Sequence, residues 1–243
     1  MKAGKFIEIP DWNQPENINI AITSRWGGVS AAPFDEFNLA GHVGDEDVSV
    51  LRNRKTLCDL LEQRRSPIWL QQVHSKRVLS VGDAEDILCL PKADGAFADQ
   101  VGTTLAVMTA DCMPILMCSD DGQEFAAVHA GWRGLAAGII ESAFNKFRSQ
   151  NLNVYLGPAI GPCHYEVGQE VKDSFPVSKA FIASERNGHW MFDMFGEAEN
   201  QFQSLGVKKV TRSKHCTYCN GSLFSYRRDG KTGRFASLIW RVD

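Results

Sequence analysis

Short apolar runs bounded by glycine, proline or acidic residues recur along this chain, and they predict β-strands. Isolated strands are predicted for residues 18–23, 68–73, 78–81, 95–98, 103–109 and 154–157. Two hairpins are predicted as well, one from residues 114–119 and 124–129 and one from residues 223–228 and 235–242. Residues 25–44, rich in glycine and aromatic side chains, are predicted to form a long loop.

Helical spacing of apolar residues is found in four further segments, residues 48–64, 135–148, 168–175 and 192–205. In the first segment the predicted apolar face consists of Val50, Leu51, Leu57, Leu60 and Leu61. In the second it consists of Ala136, Ile140, Ala143, Phe144 and Phe147. Strands and helices together predict an α+β fold with mixed β-sheets flanked by helices, although an α/β fold with a mixed sheet fits the same pattern.

Composition changes little along the 243 residues, and we find neither an internal repeat nor a proline- or serine-rich linker. We therefore expect one domain that spans residues 1–243. The formal net charge of −3, without any run of five or six like charges, argues against nucleic acid as a partner. The sequence leaves the oligomeric state open.

The N-terminal residues lack the apolar core of a signal peptide, and no stretch approaches 18 uninterrupted apolar residues. We therefore expect a cytoplasmic protein with no membrane partner. The seven cysteines form an odd and scattered set, so most of them are expected to be reduced thiols.

The hairpin of residues 114–119 and 124–129 brings two potential ligands together. With Asp121 and Gly122 as the loop residues of a type I′ turn, His129 pairs with Pro114. Cys112 then lies one side-chain period beyond Pro114, on the same face of the sheet as His129. Such diagonal neighbours are roughly 7–8 Å apart at Cα, which lets a thiolate and an imidazole bind one ion.

Three interpretations of Cys112 and His129 fit the sequence. They can bind a metal, or they can form a nucleophilic pair in which a carboxylate such as Asp111 orients the imidazole. They can also be a buried thiol and a histidine satisfied by the backbone. His74, at the end of WLQQVH, is a third candidate ligand, although taken alone it also fits a structural role. A His/Cys/His set would leave one open position on a tetrahedral zinc, as in catalytic sites.

The segment HAGWRG, residues 129–134, is predicted to connect a strand to a helix, with Gly131 and Gly134 permitting the bend. Trp132 is expected to pack against the hairpin or a substrate, and Arg133 to bind a carboxylate or phosphate.

Two further cysteine motifs are predicted to be structural or inactive. Cys216 and Cys219 have CxxC spacing, but no second CxxC follows them. Cys163 and His164 are adjacent, and neighbours on a strand point to opposite faces, so they are not expected to chelate one ion together.

Several long motifs occur in the order found in one known family: FNLAGHVGD, NR at residues 53–54, WLQQVH, ADG, VMTADCMPIL, VHAGWRG, LGPAIGPCHYEVG and SYRRDGKTGR. From about Thr23 to Trp240 the chain resembles the laccase-domain family, the YfiH-like purine nucleoside phosphorylases once described as polyphenol oxidases. The resemblance implies the YfiH-like fold and a zinc ion bound by His74, Cys112 and His129.

The same resemblance implies phosphorolysis of adenosine, inosine, guanosine and methylthioadenosine, with deamination of adenosine as a second activity. Zinc suits deamination because it lowers the pKa of a bound water toward ~7. Phosphorolysis needs a cation for the co-substrate phosphate, and Arg54 is the first candidate. Cys112, His129 and Arg54 are thus the expected catalytic residues. Asn38 resembles a family position near the substrate, although an Asx-type turn would explain it too.

Three rival functions use the same residues differently. A copper-dependent polyphenol oxidase would need clustered histidines, and the chain has only six, spread over its length. A Cys–His hydrolase acting on peptidoglycan precursors would use Cys112 as nucleophile and His129 as base. A non-enzymatic interaction or editing factor would have a closed zinc site with four protein ligands.

Overall fold

The computed structural model describes residue 10 and residues 12–63, 65–83 and 91–243. The described helices, α1 to α6 in chain order, are Asp47–Leu60, Trp132–Ala137, Ile139–Phe144, Gln169–Asp173, Met194–Ser204 and Tyr226–Asp229. The described strands, β1 to β12 in chain order, are Ile18–Ile22, Val78–Ser80, Gly95–Ala98, Thr104–Thr109, Met113–Ser119, Phe125–Ala130, Leu152–Leu156, Glu166–Gly168, Phe181–Ala183, His189–Phe192, Lys209–Arg212 and Phe235–Arg241.

The strands form three sheets, and the largest is mixed. Its order is β11-β7-β5-β6-β3-β2, with parallel pairs at its two edges and antiparallel pairs between them. The other two sheets, β1-β12-β4 and β8-β10-β9, are antiparallel. Mixed sheets flanked by helices confirm the predicted α+β fold.

The core lies on both faces of the large sheet, because every residue of β5 and β6 is buried. One face, which includes Ile115, packs against α2, α3 and α5. The opposite face, which includes Leu116, packs against Leu105 in the sheet β1-β12-β4. Leu57 of α1 covers the outer face of that second sheet. The resulting order of layers is helix, sheet, sheet, helix.

Most of the predicted isolated strands are confirmed within two residues at each end, as β1, β2, β3, β4 and β7. The prediction for residues 68–73 is wrong, since this segment makes only isolated bridges at Ile68 and Gln71. The side chain of Gln72 replaces a strand ladder there, because it donates to the Met108 carbonyl at 2.7 Å and accepts from the Met108 amide at 2.8 Å.

The predicted closing hairpin is also wrong. Residues 223–228 contain no strand, and α6 begins at Tyr226, where the Ser225 hydroxyl accepts a hydrogen bond from the Arg228 amide. The strand β12 pairs instead with β1 and β4. Because these partners are remote in sequence, the local turn signal at residues 229–233 pointed to the wrong partner.

Helix predictions were right in position and wrong in several details, one of which is that Ala136, assigned to the apolar face of residues 135–148, is exposed. The segment 135–148 is divided by Gly138, whose φ is 87°, and its first part already begins at Trp132. In α1, Leu51 is 64% exposed, whereas Asn53 is buried. The Asn53 amide donates to the carbonyls of Glu36 and Asn38, so a polar residue on the inner face of α1 holds the predicted loop of residues 25–44.

None of the described helices has the length and apolar character that a membrane span requires.

Cys89 lies outside the described residues, and the other six cysteines are free of disulfide bonds.

Candidate functional site

The hairpin of β5 and β6 has the predicted register, with Pro114 opposite His129. Its connection differs from the prediction. The Ser119 amide still donates to the Glu124 carbonyl at 2.9 Å, so the loop inside this pair contains four residues, 120–123, and only Gly122 among them has a positive φ. A type I′ turn needs two such residues. The register is nevertheless unchanged, since a four-residue loop centred on Asp121 and Gly122 preserves the same pairs.

His74, Cys112 and His129, here called the cavity cluster, lie together at one end of the central strands β5 and β6 of the large sheet. Cys112 directly precedes β5, His129 is the penultimate residue of β6, and His74 belongs to the loop before β2. The His74 Nε2 atom lies 3.8 Å from Cys112 Sγ, and all three ligand atoms lie within 4.8 Å of one another. A tetrahedral zinc would place such sulfur and nitrogen ligands about 3.5 Å apart, so the cluster fits this ion.

Asp94 organises the cavity cluster from a buried position just before β3. It accepts hydrogen bonds from the backbone amides of Val73, His74 and Ser75, at 3.1, 2.9 and 2.6 Å. Its Oδ1 atom also lies 2.9 Å from Nδ1 of His129. Burial alone would raise the pKa of Asp94, but hydrogen bonds from His129 and Ser75 outweigh it and lower the pKa to about 2. The ionised carboxylate holds the proton on Nδ1, which leaves Nε2 of His129 available as a ligand.

The prediction that Asp111 orients His129 is therefore wrong. The Asp111 carboxylate accepts hydrogen bonds from the Thr217 hydroxyl and from the Arg227 amide, both at 2.6 Å. Sequence reasoning did not single out Asp94, because a carboxylate 35 residues away from its histidine leaves no local pattern. The ADG motif was its only signal.

Two residues of the site have backbone conformations that side chains rarely adopt. The φ of His74 is 58° and that of Asp111 is 95°. Both are fixed by hydrogen bonds, His74 through the three amides that bind Asp94 and Asp111 through Thr217 and Arg227. Such strain is concentrated at functional sites.

Gly131 is required by a close approach and not by the bend that the sequence suggested. Its φ of −81° is ordinary for any residue. A Cβ atom at this position would, however, lie 2.9 Å from Cys112 Sγ and 3.1 Å from His74 Cδ2. A Cβ atom on Gly134, inside α2, would meet nothing closer than 3.4 Å. Gly131 therefore leaves the space that the cavity cluster occupies.

Cys112 and His129 shift each other's pKa. Burial raises the pKa of the Cys112 thiol, but the two histidines outweigh it and lower the pKa to about 6. Burial lowers the pKa of His129, but Cys112 and Asp94 outweigh it and raise the pKa to about 9. A thiolate is the form that binds metal and the form that attacks as a nucleophile, so both chemical interpretations remain compatible with this pair.

The cavity cluster faces a cavity of about 390 Å³. The arginines among its described lining residues are Arg133, Arg227 and Arg234, and the large aromatic residues are Trp132, Tyr165 and Tyr226. Asp111 is the one carboxylate among these lining residues, and its oxygens are already hydrogen-bonded. The cavity thus offers positive charge and flat aromatic surfaces.

Arg54 does not belong to the described lining of this cavity. Its Nε atom donates to the Leu39 carbonyl at 2.9 Å, and its guanidinium stacks 4.2 Å from the ring centre of Trp69. Its charge still acts at the cavity, since burial, Arg234 and then Arg54 lower the pKa of the lining residue His42.

Asn38 is buried away from the described cavity lining, with its amide fully engaged by the protein. It donates to the Ala40 carbonyl at 3.0 Å and to the Asp45 carboxylate at 2.8 Å. Its oxygen accepts from the backbone amides of Ala40 and Arg234. These contacts favour the Asx-type turn over contact with a nucleoside.

Cys163, His164, Cys216 and Cys219, here called the loop cluster, also converge, with ligand atoms within 4.8 Å of one another. The expectation that Cys163 and His164 point apart is wrong, because they lie in a turn in which the His164 amide donates to the Gly161 carbonyl. Cys216 and Cys219 were predicted as a lone CxxC motif, so their convergence with Cys163 and His164 was not foreseen.

Comparison with known proteins covers almost the whole chain. Residues 19–242 match the family described as multi-copper polyphenol oxidoreductase laccase. The chain is 42% identical to a purine nucleoside phosphorylase of Pseudomonas aeruginosa and 40% identical to the purine nucleoside phosphorylase YfiH of Escherichia coli. Each of these alignments covers 96% of this chain and 98% of the relative.

Solved structures agree with this result. A protein of Neisseria meningitidis superposes with a TM-score of 0.92 at 38% identity, over 99% of this chain and 100% of its own. YlmD from Geobacillus stearothermophilus superposes with a TM-score of 0.86 at 30% identity, over 98% of this chain and 99% of its own. The same fold therefore accompanies the sequence similarity along the full alignment.

Proposed function

The chain belongs to the YfiH-like laccase-domain family, and from this premise we propose that it is a purine nucleoside phosphorylase acting in the cavity beside His74, Cys112 and His129. The observation that carries the proposal is the composition of this cavity. A set of metal-type ligands, three arginines and three large aromatic side chains share its walls.

Phosphorolysis needs cations that bind the phosphate and a surface that holds the purine base, and the cavity lining contains residues for both. A phosphate oxygen bonds to C1′ of the sugar as the bond from C1′ to the purine nitrogen breaks, and the phosphate proton ends on the departing base. Guanidinium groups bind phosphate oxygens in a planar fork, so we assign the dianion to Arg133, Arg227 and Arg234. We assign stacking of the base to Trp132 and the two tyrosines.

Arg54 has a supporting role in this proposal. It is a partly buried cation behind the cavity wall, with its Nη2 atom 3.8 Å from the sulfur of the lining residue Met108. A positive charge at that depth favours a dianion in the cavity without touching it.

We assign zinc to the cavity cluster. Three protein ligands leave one position open, as in catalytic zinc sites, and Asp94 supplies the carboxylate that orients a ligating histidine. When bound, zinc would act as a Lewis acid and lower the pKa of a coordinated water. Imidazole and thiolate ligands also accept copper, and elemental analysis of the purified protein separates the two ions.

The proposal extends to several substrates. Aromatic stacking recognises the purine ring whatever its exocyclic substituents, so we include adenosine, inosine and guanosine, and also methylthioadenosine, whose base is the same as that of adenosine. We also include hydrolytic deamination of adenosine, in which water replaces the 6-amino group and ammonia leaves.

The experiment is to incubate metal-analysed protein with adenosine, with and without phosphate, and to identify the products by chromatography. We expect adenine and ribose 1-phosphate only when phosphate is present, and inosine in both conditions. A deaminase without phosphorylase activity would give inosine alone. Phosphate-independent release of adenine, or no turnover at all, would contradict the proposal.

A second candidate is a Cys–His hydrolase acting on peptidoglycan precursors. The observation in its favour is the chain of contacts from Cys112 to His129 and from His129 Nδ1 to Asp94, which is the arrangement of an activated cysteine nucleophile. Such an enzyme keeps its activity when metal is removed by a chelator, whereas we expect the phosphorylase to lose it.

A further inference from the structure

We propose that the loop cluster is a second metal site, which binds a structural zinc ion through Cys163, His164, Cys216 and Cys219. Nothing in the proposed phosphorylase reaction uses these four residues. They are supplied by two segments more than fifty residues apart, so their convergence is a property of the fold and not of a local motif.

Distances within the loop cluster match tetrahedral coordination. Cys163 Sγ lies 3.9 Å from the sulfur atoms of both Cys216 and Cys219. His164 Nδ1 lies 3.2 Å from Cys163 Sγ and 3.3 Å from Cys219 Sγ. For zinc with ordinary bond lengths, sulfur atoms should be about 3.8 Å apart and sulfur–nitrogen pairs about 3.5 Å. One ion can therefore contact all four atoms without moving the backbone far.

The surrounding contacts hold the ligands in place. The Gly161 amide donates to Cys216 Sγ at 3.2 Å, and the segments carrying Cys163 and Cys216 are joined by a bridge between Ala159 and Cys216. The ring of His164 stacks on that of Tyr218 with centroids 4.0 Å apart. Hydrogen bonds to ligating atoms and fixed ring orientations are typical of built metal sites.

The number and type of ligands indicate a structural role. Three thiolates and one imidazole complete a tetrahedron, and closed Cys₃His sites of this kind bind structural zinc. None of the four side chains belongs to the described lining of the cavity. Binding would release the protons of the three thiols to solvent as the Zn–S bonds form, without any change of oxidation state.

The position of the loop cluster suggests what the ion would stabilise. Thr217, between two of its cysteines, donates to the Asp111 carboxylate at 2.6 Å, and Asp111 directly precedes Cys112. The Arg227 guanidinium, which lines the cavity, donates to the carbonyls of His164 and Glu166 at 3.2 and 2.9 Å. A zinc ion in the loop cluster would therefore fix one wall of the cavity from behind.

The test is the zinc content of protein purified without chelator, measured by plasma mass spectrometry. We expect about two zinc ions per chain in the unmodified protein and about one in Cys163→Ser and in Cys219→Ser, because each substitution removes a ligand of a four-ligand site. Cys58→Ser, a change in α1 outside both clusters, serves as the matched control and should keep both ions. Unchanged zinc content in the two loop variants would overturn the proposal.

A measurement on the unmodified protein covers the case in which those variants fail to fold. Zinc-edge X-ray absorption should report about two sulfur ligands per zinc on average, against about one if only the cavity cluster is occupied. An intact mass two daltons below that of the reduced chain, together with a single zinc ion and a disulfide-linked peptide that joins two of the loop-cluster cysteines, would overturn the proposal.

Discussion

The cavity cluster and the loop cluster are built from the same ligand types but differ in number, support and surroundings. The cavity cluster has three candidate ligands, one of them oriented by the buried carboxylate of Asp94, and it faces a cavity with three arginines. The loop cluster has four candidate ligands, supported by a backbone amide and a stacked tyrosine.

This difference indicates a catalytic role for the cavity cluster and a structural role for the loop cluster. A site with an open position needs another group to orient its ligands, because the ligands alone do not complete the coordination, and Asp94 supplies that group. A closed site needs only converging loops. The two clusters are linked through Asp111 and Thr217, so we expect a loss in the loop cluster to weaken the reaction indirectly and a loss in the cavity cluster to abolish it.

The largest contrast is expected for His129→Ala. This change removes a cavity ligand, so phosphorolysis should fall by more than ~100-fold, since even outer-shell partners of a metal site are worth 10–100-fold. Zinc content should fall by one ion per chain while the loop ion stays. The measurement combines elemental analysis with the rate of adenine release, and His189→Ala, outside both clusters, is the control. Full zinc content with normal turnover in His129→Ala would remove the functional role of the cavity cluster.

Asp94→Asn should have the next largest effect. The amide cannot accept all the hydrogen bonds that the carboxylate receives from His129 and residues 73–75, so zinc affinity or kcat/KM should fall roughly 10–100-fold. Asp99→Asn is the matched control, because that carboxylate pairs with Arg148 at the surface. Competition with a chromogenic chelator measures the affinity, and equal affinities in both variants would show that Asp94 does not orient the site.

Gly131→Ala should weaken zinc binding by roughly tenfold or more, since forcing an extra methyl group into a packed site costs about 1–3 kcal/mol. The new Cβ atom would press on Cys112 Sγ and on the ring of His74. Gly134→Ala is the control in the same connection, and it should be neutral or stabilising because alanine favours helices by roughly 0.5–1 kcal/mol over glycine. Zinc titration and thermal melting distinguish the two variants, and identical behaviour would contradict the close-approach argument.

The smallest effects are expected for the arginines around the cavity. Arg234→Ala should raise the KM for phosphate several-fold, and Arg54→Ala should raise it less, because Arg54 acts through its charge from behind Met108. Phosphate-free deamination should be less affected in both. Arg212→Ala, on the edge strand β11 and outside the described cavity lining, is the control. Equal losses of phosphorolysis and deamination in Arg54→Ala would make Arg54 a structural residue only.

The parts of the site that local pattern could predict are those within one hairpin. The register of β5 and β6 followed from the Asp-Gly signal, and it placed Cys112 near His129 although the turn type was wrong. Single strands such as β4 were also predictable, because a short run that combines apolar residues with the β-branched residues Thr104, Val107 and Thr109 indicates a strand without knowledge of its partners.

Contacts between remote segments could not be predicted in this way. Asp94 and the loop cluster depend on backbone turns at residues 73–75 and 161–164, whose conformations are set by the hydrogen bonds that the fold supplies. Asn53 was missed for a similar reason, since burial of a polar side chain depends on carbonyls that only the folded loop presents. Gly138 broke a helix whose apolar spacing continued through it.

Anomalous X-ray diffraction from crystals of the protein purified without chelator, recorded above and below the zinc edge, tests the contrast between the two clusters most directly. We predict two zinc peaks per chain, one among His74, Cys112 and His129 at the cavity and one among Cys163, His164, Cys216 and Cys219. A soak with phosphate should add density in the cavity near the first peak and leave the second unchanged. Absence of a peak at the cavity cluster, or a peak there that does not strengthen above the zinc edge, would contradict the account.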